Sequence, residues 1–349
     1  MKRKKTLNFL TVTLFTGVLL TFSIFVGIDT AWGGGKNDGV KGFNGIFHTN
    51  EMITDFARYF DYKVFGHIDG GDYIIGEDDW LFEAVDSQNG YERLLDYIGG
   101  DPLTKEELDR FSDIVTKRAL LYEKEGKNYI MVVIPDSMNV CDDKVPSYLG
   151  EYSSSSRLSQ ITEKFEAVGF DGFVNPSETM KSSGENIAMY NNTENSINAY
   201  GAYLIYDTVM DRLSLGENLE FNRIERKQLD FYTRLTDGRT IAKKAGIEAV
   251  VKNRTVSLSN NAPENYSVID SSGGTTITQR TDVELCDMLV VVECTNDWDR
   301  IQLMPYFSNT FDRVIYRDGL ISDPYASSDQ GATLVVQVIR ESELNDILK

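Results

Sequence analysis

The chain opens with four basic residues, Lys2, Arg3, Lys4 and Lys5, and then runs from Thr6 to Ile28 without a charge. As a helix such a run spans about 34 Å, enough for a hydrocarbon core of about 30 Å. The pattern predicts a cytoplasmic tail over 1–5 and a transmembrane anchor over 6–28, with the bulk of the chain outside the cell membrane. A cleaved signal peptide is the alternative, with Ala31 and Gly33 as small residues near a cut, although the run exceeds the usual apolar core of about 7–15 residues. Residues 29–49, with Gly33, Gly34, Gly35 and Gly39, read as a flexible tether.

From residue 50 to 349 the pattern is that of one extracytoplasmic domain in which helical spacing and short apolar runs alternate. Thr104 to Glu107 fits a capping box, Leu108, Phe111, Ile114, Val115 and Leu121 follow at helical spacing, and Gly126 should end the helix. Tyr129–Ile134 is a continuous apolar run stopped by Pro135-Asp136, as expected of a strand buried on both faces. The alternation repeats: a helix opening at Ser153–Ser156, a strand at Gly172–Val174, a helix over Gly201–Leu213, a strand at Met288–Val292, and a helix over Arg300–Phe311. Strands at Arg313–Tyr316 and Thr333–Ile339 close the chain. This order predicts an α/β fold, a three-layer α/β/α sandwich with a mostly parallel sheet. Residues 221–285, rich in Thr, Ser and Asn, read as a β-rich excursion lying across the sheet.

Composition narrows the chemistry. There are 54 acidic and 35 basic residues, and setting aside the four at the N-terminus leaves a net charge of −23. A surface this acidic excludes a duplex nucleic-acid partner, which requires a basic face. Cys141, Cys286 and Cys294 are too few for a disulfide scaffold, and Cys286 and Cys294 read as two reduced thiols on either side of a strand. The only histidines, His48 and His67, leave almost nothing from which to build a histidine metal site and could supply a catalytic imidazole only if the fold carried the entry region to the site; neither a metal nor a cofactor is expected.

Several segments in order carry a resemblance: Phe60–Gly66, Ile75–Phe82, Gly100–Thr104, Val133–Asp136 with Val145-Pro146, and Val335–Glu341. Together they resemble the SGNH-hydrolase-like domain of the exopolysaccharide O-acetyltransferases, the AlgX/AlgJ-like family of alginate acetylation with its Gram-positive DHHW branch. The resemblance implies a Ser-His-Asp enzyme in which serine takes an acetyl group and passes it to a sugar hydroxyl. It also implies extracellular polysaccharide, a membrane-bound acyltransferase of the same pathway, or both, as partners.

The reactive positions depart from that pattern. Where the family has Thr-Asp-x-His-Trp before Gly-Ala-Tyr, this chain has Thr193-Glu194-Asn195-Ser196-Ile197 before Gly201-Ala202-Tyr203. The serine after the hydrophobic strand is Thr295, in Glu293-Cys294-Thr295. Thus Glu194, Ser196 and Thr295 stand for Asp, His and Ser, and a serine hydroxyl cannot act as a base near neutral pH. The expectation is a degenerate, polysaccharide-binding or acetylation-supporting protein. Two alternatives stand beside it: an active esterase or transferase using Thr295 or Cys294 with Glu194, and an envelope interaction protein unrelated to acetylation. Trp298 and Tyr306 are candidates for a saccharide groove, and Asp78-Asp79 reads as a solvated turn.

Overall fold

The computed structural model describes residues 72–87, 90–216, 223–249, 251–259, 264–281, 289–318 and 331–348. The expected anchor at 6–28, the tether, both histidines and Cys286 lie outside the described residues. Among the described residues no helix is long and apolar enough to cross a membrane.

Eleven strands are described: β1 Tyr73–Ile75, β2 Leu81–Glu83, β3 Asn128–Ile134, β4 Phe173–Val174, β5 Phe231–Asp237, β6 Lys252–Leu258, β7 Tyr266–Ser272, β8 Thr275–Arg280, β9 Leu289–Cys294, β10 Arg313–Asp318 and β11 Ala332–Arg340. The helices are α1 Arg93–Tyr97, α2 Lys105–Lys124, α3 Ser137–Val140, α4 Arg157–Val168, α5 Ser177–Lys181, α6 Ala199–Gly216, α7 Thr240–Lys244, α8 Asp297–Thr310 and α9 Leu344–Leu348. Local chemistry sets their ends. The Thr104 hydroxyl accepts from Glu107 N at 3.2 Å while the Glu107 carboxylate accepts from Thr104 N at 2.8 Å, which is the expected capping box of α2. Gly126, at φ 71°, turns the chain out of α2 and into β3.

The central sheet has seven strands in the order β4-β3-β11-β9-β10-β8-β7. The first five run parallel. Alternate residues of the inner strands enter two cores. Ile130, Val132, Val290, Val292, Val336 and Val338 pack under α6 and α8; Met131, Val133, Val291, Val335 and Ile339 pack under α2, α4 and α9. Burial on both faces explains why β3, β9 and β11 read as unbroken apolar runs.

The excursion over 221–285 differs from its reading as a unit lying across the sheet. Its second half, β7 and β8, joins the sheet itself, β8 pairing antiparallel with β10, so the sheet is mixed at one end. Its first half forms a separate antiparallel pair, β5 and β6, connected through α7. Helix α8 begins at Asp297, three residues earlier than the spacing suggested, because the Asn296 side chain accepts from Trp298 N at 2.9 Å and caps it.

Asn192 fastens the β5–β6 unit to the sandwich. Its buried amide donates to the carbonyls of Asp79 (3.0 Å) and Lys252 (3.1 Å) and accepts from Arg254 N (2.6 Å). Thr193 adds a hydroxyl bond to Asn253 Oδ1 at 2.8 Å and accepts from Arg239 N at 2.9 Å. A small core of Leu81, Ile241, Ala242, Ile247 and Val251 forms beside this junction. Asn192→Ala removes three bonds at a buried position and is expected to lower stability by about 2–3 kcal/mol, read from the midpoint of urea unfolding.

Candidate functional site

The carboxyl ends of β3, β11 and β9 meet where neighbouring connections leave the sheet in opposite directions, the usual place for a crevice in an open α/β sheet. Two irregular segments line it. The first, Asn191–Ser196, is a loop closed by an antiparallel bridge between Tyr190 and Ile197. Asn198 then caps α6, accepting from Tyr200 N at 3.0 Å and Gly201 N at 3.2 Å. Residue 201 must be glycine, because a Cβ there would lie 2.3 Å from the Met189 carbonyl oxygen. The second segment, Cys294–Trp298, leads from β9 into α8. The two are joined by the Trp298 indole, whose Nε1 donates to the Ile197 carbonyl at 2.9 Å.

Between them lies a cavity of about 320 Å³ lined by Glu194, Asn195, Ser196, Asn296, Trp298 and Arg340. Its far wall comes from the entry region and from α7, through Glu83, Asp86, Arg93, Thr240 and Lys244. The cations on this wall are paired. Arg93 is 5% exposed and binds Asp86 at 2.8 Å and also Asp136, which caps α3 and accepts from Asn195 Nδ2 at 3.2 Å. Lys244 binds Glu83 at 2.8 Å. Arg340 makes a two-point contact with buried Asp299 at 2.6 and 2.9 Å. The cavity therefore offers hydrogen-bonding groups and one aromatic ring in place of a strong net charge.

The structure brings Glu194 and Ser196 into this cavity and sets Thr295 beside it. Asn191 Nδ2 donates to Ser196 Oγ at 2.9 Å and to Glu194 Oε1 at 3.0 Å. Burial raises the Glu194 carboxyl above its ordinary range, opposed by Arg239, by the Ser196 hydroxyl and by Arg340. Thr295 is half-buried and does not line the cavity; its hydroxyl donates to Glu343, a carboxylate also raised by burial and also bonded by Arg340 N at 2.9 Å. The carboxylate in contact with Thr295 is thus Glu343 and not Glu194. Cys294 is 2% exposed in the core under α8, and burial pushes its thiol well above the ordinary value, the opposite of what a nucleophile needs. Of the two aromatic candidates, Trp298 lines the cavity with 38% exposure, whereas Tyr306 is fully buried and donates to the Ala199 carbonyl at 2.5 Å, which removes it from any saccharide groove. Asp78 is taken up by Lys144 at 2.8 Å, as a solvated turn residue would be.

The sequence reading missed Arg93, Arg340 with Asp299, Lys244 and Glu343. The available signals were faint: Asp136 directly after the Pro135 stop, and Arg340 directly after the last apolar run.

The sandwich is similar to that of Bacillus cereus PatB1, with a TM-score of 0.54 and 13% identity over 78% of this chain and 96% of that one. A DHHW family protein from Eubacterium siraeum gives a TM-score of 0.52 and 11% identity, over 79% of this chain and 97% of that one. The O-acetyltransferase domain of Pseudomonas putida AlgJ superposes more loosely, with a TM-score of 0.47 and 13% identity over 79% of this chain and 92% of that one. No family model matches the sequence, and a search of curated proteins finds no match. At these identities the likeness establishes the fold, which is the one the sequence resemblance implied.

Alkylation by iodoacetamide at neutral pH should leave Cys294 and Cys141 unmodified for an hour in the native protein and modify both in denaturant. Mass spectrometry reads the two sites separately, and native labelling of Cys294 would restore it as a nucleophile.

Proposed function

We propose that this chain is a membrane-anchored, non-catalytic relative of the SGNH-type O-acetyltransferases that binds extracellular polysaccharide in the cavity and supports its O-acetylation by a membrane acyltransferase. The observation that carries the reading is the fate of the two hydroxyls at the replaced positions. Ser196 is held by Asn191 and Thr295 by Glu343, an amide and a carboxylate in place of the base that a triad hydroxyl faces. Removing members of such a triad costs about 10⁴- to 10⁶-fold in rate in the subtilisin case. What persists is a polar crevice with a fixed indole at its mouth, the kind of surface on which an aromatic face and a few oriented polar groups hold a sugar ring. Because Arg93, Lys244 and Arg340 already have carboxylate partners, the favoured ligand is a neutral glycan segment.

A second reading, turnover through Thr295, has one observation in its favour: Glu343 accepts the Thr295 hydroxyl proton. A structure of PatB1 carries a sulfonyl adduct, which suggests a probe. Full-length protein treated with a sulfonyl fluoride should remain unmodified at Thr295 by mass spectrometry, and should hydrolyse p-nitrophenyl acetate no faster than buffer; an adduct there with ester turnover would replace the binding reading by the catalytic one.

The binding reading has its own measurement. Titration calorimetry with neutral oligosaccharides should give saturable binding that Trp298→Ala weakens about tenfold, or ~1.4 kcal/mol.

A further inference from the structure

Glu293, the last residue before Cys294 and Thr295, is 1% exposed on the α2 side of the sheet. Neither of its carboxylate oxygens has a hydrogen-bond partner among the described residues. It stands in register with Gln337 on β11 and with Arg317 on β10. The Gln337 side chain has given its oxygen to Arg118 Nη1 at 2.9 Å and to the Tyr129 hydroxyl, and its Nε2 is likewise buried without a partner. Two unmet polar groups therefore sit side by side on adjacent inner strands, a costly arrangement in a closed interior.

We propose that Glu293 is a buried proton switch that sets the position of the β9 exit segment, Cys294 to Trp298, and through it the shape of the cavity. In the neutral state the carboxyl tolerates its place between β10 and β11. When its proton leaves to solvent, the resulting carboxylate has no donor where it stands. The charged and titratable groups that face it are Arg118 from α2, Tyr129 from β3 and Arg317 from β10. Glu293 and Cys294 are the last residues of β9 paired with β10 and β11, and a carboxylate turning toward either arginine, or toward Gln337 Nε2, pulls on that end of the strand. Only Thr295 and Asn296 separate that point from α8, so Trp298 follows. Burial raises the Glu293 carboxyl from 4.5 to about 7, with the two arginines opposing the rise, so the change falls within the range an exterior protein meets. The folded chain holds this proton more tightly than the unfolded chain, so the protonated carboxyl adds to stability. The contribution is therefore complete below about pH 4.5 and is lost as pH rises through about 7.

The switch concerns the same cavity as the glycan reading but is tested without a ligand, so the two can fail separately. Acrylamide quenching of tryptophan fluorescence is measured on the full chain from pH 5 to pH 9, with Trp298→Phe identifying the signal of that residue. The expected result is a quenching constant for Trp298 that changes with a midpoint near pH 7 and becomes flat in Glu293→Gln. Arg118→Met, on the half-buried face of α2, should move the midpoint upward by half a unit or more, and it serves as the second variant should Glu293→Gln fail to fold. A flat profile in the unsubstituted chain, a midpoint that survives Glu293→Gln, or one that Arg118→Met leaves in place overturns the proposal.

Discussion

The six residues between Tyr190 and Ile197 have no regular structure of their own, so their polar groups must find partners in other parts of the chain. They do so in three directions: Asn192 and Thr193 reach the β5–β6 unit, Asn195 reaches Asp136 at the end of β3, and the Ile197 carbonyl receives the indole of Trp298. Remove these bonds and the entry hairpin, the inserted pair of strands and the start of α8 would no longer share a common anchor. The crevice is a by-product of that satisfaction. Its walls are elements that had to come within hydrogen-bond reach of one short loop.

A notable share of this was legible in the sequence. The capping box at Thr104, the doubly buried runs of β3, β9 and β11, and the αL glycine after α2 each carry a local rule, so their reading required no tertiary information. The segment of Glu194 and Ser196, ahead of the helix that follows Gly201, was placed by the family resemblance alone. The excursion was harder. Two of its strands, β5 and β7, are largely exposed, so nothing in their pattern says whether they pair with the main sheet or with a neighbour in the excursion. The arginines were out of reach for another reason. Arg93 meets Asp136 and Arg340 meets Asp299 across 43 and 41 residues of chain, and a charged residue read alone looks like a solvated one.

Charge is distributed in a way that the net value conceals. At the carboxyl end of the sheet Arg93 is buried and Arg340 half-buried, and each of these two is matched to a carboxylate. Such pairs add little to stability relative to an apolar core, but separating one is expensive, so they fix side-chain direction. Arg340 illustrates the point: its two-point contact with Asp299 ties the last central strand to the first turn of α8.

At the opposite margin of the sheet, β7 pairs among the described residues with β8 alone, and its register slips between Val268 and Asp270. A border strand with apolar Val268 and Ile269 turned to solvent would ordinarily invite a neighbouring molecule to extend the ladder. The slip twists the strand and spoils the row of open amides and carbonyls. The strand thus carries its own guard against edge-to-edge stacking.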